Sequence, residues 1–250
     1  MCWSGEASGI LAAVGIGTAA YSAMKKMHPT LWITLGYFSL MELLQAFTYT
    51  VIDHCEMPSN QLLTLFGYLH IAFQPFFINA ISMHFFADKG LARRLAVPVY
   101  SVCFICAVVM LLQLYPFSWC GKCVIGEPLC ATSLCSVHGN WHIAWNVPLN
   151  GMGFDVRTQL GSFHVGAYYT AYVVAGFLMP LLYGAYGGTV FHLLLGPGLA
   201  RLLTNNMNEW PAVWCLLSIG IIMLVLKVRC DPIINTHLTK CRHAFAQRYL

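Results

Sequence analysis

Seven long apolar stretches, separated by short polar connections and one long loop, run through most of this chain and leave it few ways to fold in water. A helix needs about 20 mostly apolar residues to cross a hydrocarbon core of about 30 Å. Stretches that meet or approach that length lie at 8–24, 30–52, 61–86, 95–116, 163–186, 188–204 and 210–228. Only 9% of the residues are charged against 58% hydrophobic, and the mean hydropathy is +0.67; soluble domains carry roughly 25% charged residues. So little charge cannot cover a water-facing surface, so membrane lipid is the expected partner of the apolar faces. The runs are continuous rather than alternating, which favours helices over a barrel, because a helix satisfies its own backbone in lipid. The sequence therefore predicts an all-α, polytopic membrane protein, a bundle of about seven transmembrane helices forming one domain over residues 1–250.

Orientation follows from the basic residues, since short Lys- and Arg-rich loops stay on the cytoplasmic side. With the N-terminus outside and the C-terminus cytoplasmic, ten of the 13 lysines and arginines fall inside and three (Lys122, Arg157 and Arg201) outside. The first stretch has no basic residue before it, while Lys25 and Lys26 follow it, so it reads as a retained span rather than a cleaved signal. Gly196, Pro197 and Gly198 interrupt the sixth stretch, which is expected to be a broken or tilted helix. A net charge of +4, scattered among apolar runs, excludes nucleic acid as a partner.

Of 11 cysteines, six fall outside in this topology: Cys2, Cys55, Cys120, Cys123, Cys130 and Cys135. An even set in an oxidising compartment predicts disulfides, although the CxxC spacing of Cys120 and Cys123 also suits a metal or redox site, and spacing alone does not give connectivity. The long outer loop, 117–162, is expected to form an interfacial helix or folded lid anchored by its tryptophans. On a helix His138 and His142, four apart, would share one face, as paired metal ligands would.

Ionisable groups at membrane depth are expensive and mark interfaces, cavities or pathways. Ser39, Glu42, Gln45 and Tyr49 form one helical stripe along the second stretch, and His70, Gln74, Phe77 and His84 one arc of the third, near Pro75. Glu42 and His70 both lie roughly 14 to 15 Å below the outer surface on adjacent antiparallel helices, so Glu42, Gln45, His70 and Gln74 are expected to form a polar level. That level is either interhelical glue or a site that exchanges protons, orients water or holds a divalent metal on His70 and Glu42. His84 and His192 fall level near the cytoplasmic side. At the outer end of the sixth and seventh stretches, Arg201, Asn205, Asn206, Asn208 and Glu209 precede Pro211; Glu209 is expected to cap a helix, pair with Arg201, or leave Arg201 to an incoming acid.

The opening Met1, Cys2, Trp3, Ser4, the run Leu35 to Glu42, and the segments from Tyr68 to Asn79 and Asn208 to Ser218 resemble bacterial multi-pass proteins known only as a domain of unknown function. The resemblance covers most of the chain and implies a bacterial inner (plasma) membrane setting, with no activity or catalytic residue to carry over. Microbial rhodopsins need a lysine within the last span, whereas Lys227 stands at its end; the ceramidase and adiponectin-receptor superfamily carries HxxxH on its last span, which has no histidine here. The expected function is transport or permeation of a small solute, ion or proton along the Glu/His level. The alternatives are an intramembrane metal-dependent hydrolase and a non-catalytic partner or sensor that engages another membrane protein or a second copy of itself.

Overall fold

The computed structural model describes residues 3–86, 88–158, 161–216, 219–224 and 227. The fold is mostly helical, with a small β-cap at one end. The first four helices are α1 (Gly5–Met24), α2 (Pro29–Tyr49), α3 (Pro58–Phe85) and α4 (Lys89–Leu112). Three stretches, Gly5–Met24, Pro58–Phe85 and Gly90–Leu112, are long and apolar enough to cross a membrane. After α4 the chain forms two antiparallel hairpins, β1 (Cys135–His138) with β2 (Ile143–Asn146), and β3 (Gly153–Thr158) with β4 (Gly161–Gly166). It returns through α5 (Ala167–Val173), a π-helical turn (Val174–Leu178), α6 (Met179–Leu182), α7 (Tyr186–Leu193), a second π-helical turn (Leu194–Gly198), α8 (Leu199–Leu203) and α9 (Trp210–Trp214).

Local chemistry accounts for these boundaries. Ser4 caps α1 by accepting from the Ala7 N–H, Asp88 caps α4 by accepting from Leu91, and Pro29 and Pro58 open α2 and α3, where a missing N–H costs nothing. The break expected at Gly196, Pro197 and Gly198 is present: Gly196 leaves helical geometry (φ −98°, ψ −105°) beside Pro197. The fifth stretch departs from expectation. Helix begins only at Ala167, because the residues before it belong to β4.

Helices α1 and α2 pack through small residues. Ser8, Ala12, Gly15, Ala19 and Ser22 form the buried face of α1, and a side-chain carbon at Gly15 would stand 2.0 Å from Ser39 Oγ. Such faces let helix backbones approach closely. Asn79 of α3 ties the opposite side together: its amide donates to Pro75 O and Ala175 O (both 2.8 Å), and its oxygen accepts from the Tyr183 hydroxyl (3.0 Å).

The cap corrects the all-α expectation for its own segment. Gly139 and Asn140 form part of the turn between β1 and β2, so His138 and His142 flank a hairpin turn and do not share a helix face. Two disulfides hold it, Cys55–Cys135 and Cys123–Cys130. Cys120 is therefore not joined to Cys123 as the CxxC spacing allowed; it is a free thiol, and Cys2 lies outside the described residues. Buried amides fasten the cap to the helices. Asn60 donates to Ser136 O and accepts from Ser136 N (both 2.9 Å); Gln113 donates to Met152 O (2.8 Å) and accepts from Tyr168 N. Asn150 donates to Leu112 O and Tyr115 O, and Asn208 accepts from Leu129 N (2.7 Å).

Candidate functional site

Three members of the expected stripe on α2 face the interior, Ser39, Glu42 and Gln45 each being 1% exposed or less, while Tyr49 at its end is partly buried. Gln45 donates to Ala212 O on α9 (3.3 Å), and its own carbonyl oxygen is buried with no hydrogen-bond partner. Glu42, fully buried, lies within electrostatic reach of Tyr49 above it and Cys215 just beyond α9. Cys215 is in turn within such reach of Tyr37 and Tyr172. The Tyr172 hydroxyl donates to Gln74 Oε1 (2.9 Å), and the Tyr172 ring stands edge-on to Trp214 (5.1 Å between centroids). Four helices, α2, α3, α5 and α9, thus bring polar groups to one buried region around Glu42.

The level continues toward the cap. Tyr49 ends α2, and its hydroxyl lies 3.1 Å from His142 Nδ1. The Ile143 N–H also donates to that nitrogen (2.7 Å), which makes Nδ1 an acceptor, so Tyr49 is the donor and the ring proton sits on Nε2. Nε2 is buried with no hydrogen-bond partner, beneath the Trp3 ring. Burial holds the His142 pKa down to about 3.

That shift has a stability consequence. Unfolded imidazole takes a proton near pH 6.5, whereas His142 refuses one until about pH 3. The unfolded state therefore binds more protons in between, and stability present above pH 6.5 is lost as pH falls toward 3, reaching about 2 kcal/mol by pH 5. Melting of the cap in detergent is expected to drop over that interval, with a shallower slope in His142→Gln; equal slopes would contradict the assignment.

Glu209 sits beside this histidine and is fully buried. Its carboxylate accepts three backbone N–H groups of the hairpin turn, from Asn140 (2.6 Å), Trp141 (2.8 Å) and His142 (2.9 Å). A side-chain carbon at Gly139 would lie 2.3 Å from the Glu209 carboxyl carbon, so only glycine admits this approach. Glu209 occupies the position before α9 but makes no side-chain cap bond, and Arg201 donates to Asn205 instead of pairing with it.

Toward the other end of the bundle, His192 is buried between two partners. Its Nε2 accepts from Trp214 Nε1 (2.8 Å), its Nδ1 lies 3.3 Å from Gly176 O, and its ring stacks on Phe177 at 4.3 Å. It also lines a mostly apolar cavity of about 480 Å³ with Ser82, Phe86, Tyr186 and Phe191.

His70 and His84 stand apart from this series. The His70 ring stacks on Tyr37 (3.9 Å) and borders a cleft of about 690 Å³ with Leu40, Leu44 and Phe73. The His84 ring packs against His28 (4.5 Å). Among the described residues no group of three His, Cys, Asp or Glu side chains stands ready to hold a metal ion. Sequence reasoning passed over Tyr37, Tyr172, Trp214 and Cys215; aromatic and thiol side chains in apolar stretches carry no distinguishing signal until a carboxylate lies beside them.

The fold and site define a helical bundle with helices of membrane-spanning length, a buried carboxylate level and a disulfide-held cap. The chain belongs to the family of unknown function DUF5765, whose model matches residues 6–234. No curated protein and no solved structure matches it.

Proposed function

We propose that this chain is a seven-span bacterial inner-membrane protein that passes protons across the bilayer, with its cap outside and its C-terminus in the cytoplasm. The observation that carries the reading is the buried column His142, Tyr49, Gln45, Glu42, held at its cap end by Glu209 through the hairpin backbone and continued within electrostatic reach of Cys215 and Tyr172 toward Trp214 and His192. Its members come from distant parts of the chain and meet in an interior where structural glue alone would need far fewer of them. They are packed side chains, and a proton is what hydrogen-bonding groups relay without an open channel. The disulfides and the ten-to-three distribution of basic residues support the orientation.

The resting hydrogen bonds set a direction. Tyr49 donates to His142 Nδ1, so its hydroxyl proton points from the Glu42 side toward the cap. At the other end the cavity beside His192 leads the column toward the opposite face. The divalent-metal hydrolase reading has less support, since the His70 ring packs on Tyr37 and no group of three metal-ligating side chains stands together among the described residues.

Vesicles containing the purified protein and a trapped pH indicator test this reading. Under an imposed pH gradient, with potassium and valinomycin clamping the potential, proton entry should exceed that of empty vesicles several-fold. Glu42→Gln keeps the shape and removes the titrating group, so flux should fall to the empty-vesicle rate while the melting temperature holds. Wild-type flux equal to that of empty vesicles would overturn the reading.

A further inference from the structure

We propose that the junction between α4 and the cap is a phospholipid site: a cleft on α4 takes an acyl chain, Tyr115, Phe117 and Trp119 lie at the level of the glycerol and headgroup, and Lys122 meets the phosphate. The site rests on the reading of α4 as a membrane span and is independent of the buried column and of proton passage. The stretch Gly90–Leu112 is long and apolar enough to cross a bilayer, and Val97, Phe104, Ile105 and Leu112 are exposed along it. A face of this kind is covered by lipid chains in a membrane and by nothing in water.

Where the helix ends, the exposed apolar surface continues as a ladder of rings. Tyr115 is 61% and Trp119 74% exposed, and the Phe117 ring stands 4.7 Å from the first and 5.5 Å from the second. Neither the Tyr115 hydroxyl nor the Trp119 indole N–H makes a hydrogen bond among the described residues. An apolar ring with a free polar tip is the kind of side chain that settles at the membrane interface. The other tryptophans of the outer loop do not serve: Trp145 is buried, and Trp141 is half-buried and stacks on Trp3.

Two further observations name the occupant. Val108, Leu111, Leu112, Tyr115 and Phe117 line a cleft of about 410 Å³ whose one polar side-chain group is the tyrosine hydroxyl. Such a lining suits a hydrocarbon chain, and beside a membrane-crossing helix that chain belongs to a lipid. The cap then brings a cation to the same place. Asn150 donates to Leu112 O (2.9 Å) and Tyr115 O (2.8 Å) and forms an antiparallel bridge with Lys122, which holds Lys122 beside the end of α4. Lys122 is exposed and has no ion-pair partner among the described residues. An ammonium together with hydroxyl and indole donors complements a phosphate.

Fluorescence quenching of the full-length protein in phosphatidylcholine vesicles tests the site. Trp119 is one of seven tryptophans, so its signal is taken as the difference between the wild type and Trp119→Phe. Lipids brominated near the carbonyl end of the chain should quench that signal about twofold more than lipids brominated near the methyl end, and aqueous iodide should quench it less than half as well as free tryptophan. Brominated phosphatidylglycerol, added as a minor component, should quench about twofold less in Lys122→Gln, because its phosphate loses the cation. An intact Cys123–Cys130 disulfide and an unchanged melting temperature report that the variants fold. A Trp119 signal indifferent to brominated lipid, or phosphatidylglycerol quenching unchanged in Lys122→Gln, would overturn the proposal.

Discussion

Glu209→Ala is expected to cost roughly 3 to 6 kcal/mol and to detach the tip of the β1–β2 hairpin from the helices. Among the described residues the carboxylate is the acceptor for the Asn140, Trp141 and His142 N–H groups, of which that of His142 is buried and the other two partly so. Each orphaned donor costs about 1 to 3 kcal/mol, and the three are not independent, which sets the upper end below their sum. Trp3 adds to the consequence. Its N–H donates to Trp141 O (3.1 Å) and its ring stacks on Trp141 (5.5 Å), so the start of the chain is fastened to the same turn. Amide hydrogen exchange of residues 139–143 is the measurement: protection should fall by two orders of magnitude or more in Glu209→Ala. Glu209→Gln, which keeps one acceptor oxygen, should lie between the two. Unchanged protection in the alanine variant would remove the clamp from the account.

The clamp also bears on the column, because it places His142. The turn is held from below by Glu209 and from above by Trp3, and the imidazole is thereby fixed over Tyr49. Pre-organisation of this kind keeps a relay partner within hydrogen-bond distance without an ordering cost at each transfer.

How much of this was legible in the sequence divides along physical lines. The helical periodicity of Ser39, Glu42, Gln45 and Tyr49 placed a polar stripe on α2, and burial of Ser39, Glu42 and Gln45 agrees with it. The short connection between α2 and α3 made them neighbours. It did not fix how the two helices are rotated. Tyr37, which takes His70, lies about 140° around α2 from Glu42, so equal depth did not bring Glu42 and His70 together. Depth follows from counting residues, whereas rotation follows from packing against every other helix.

The cap was the least legible part. His138 and His142 have helical spacing, but Gly139 and Asn140 between them turn the chain back, and the hairpin is held by residues 67 and 76 positions away. Asn60, Gln113 and Asn208 stand at span ends and Asn150 in the outer loop, where polar residues are unremarkable; their role exists only once the hairpins close over them. An even count of outer cysteines indicated disulfides, yet the actual pairs, Cys55–Cys135 and Cys123–Cys130, depend on the hairpin geometry and leave the CxxC motif unused.

Tyr49 is where the account is most exposed to test. Its hydroxyl is the hydrogen bond between the helix stripe and the cap, and Tyr49→Phe removes that oxygen alone while keeping the ring packed. The lost bond should cost about 0.5 to 1.5 kcal/mol, too little to unfold the bundle. Proton flux into sealed vesicles should nevertheless fall to the rate of empty ones. Flux in Tyr49→Phe equal to that of the wild type would show that protons do not pass from Glu42 to the cap through His142, and would contradict the account at its centre.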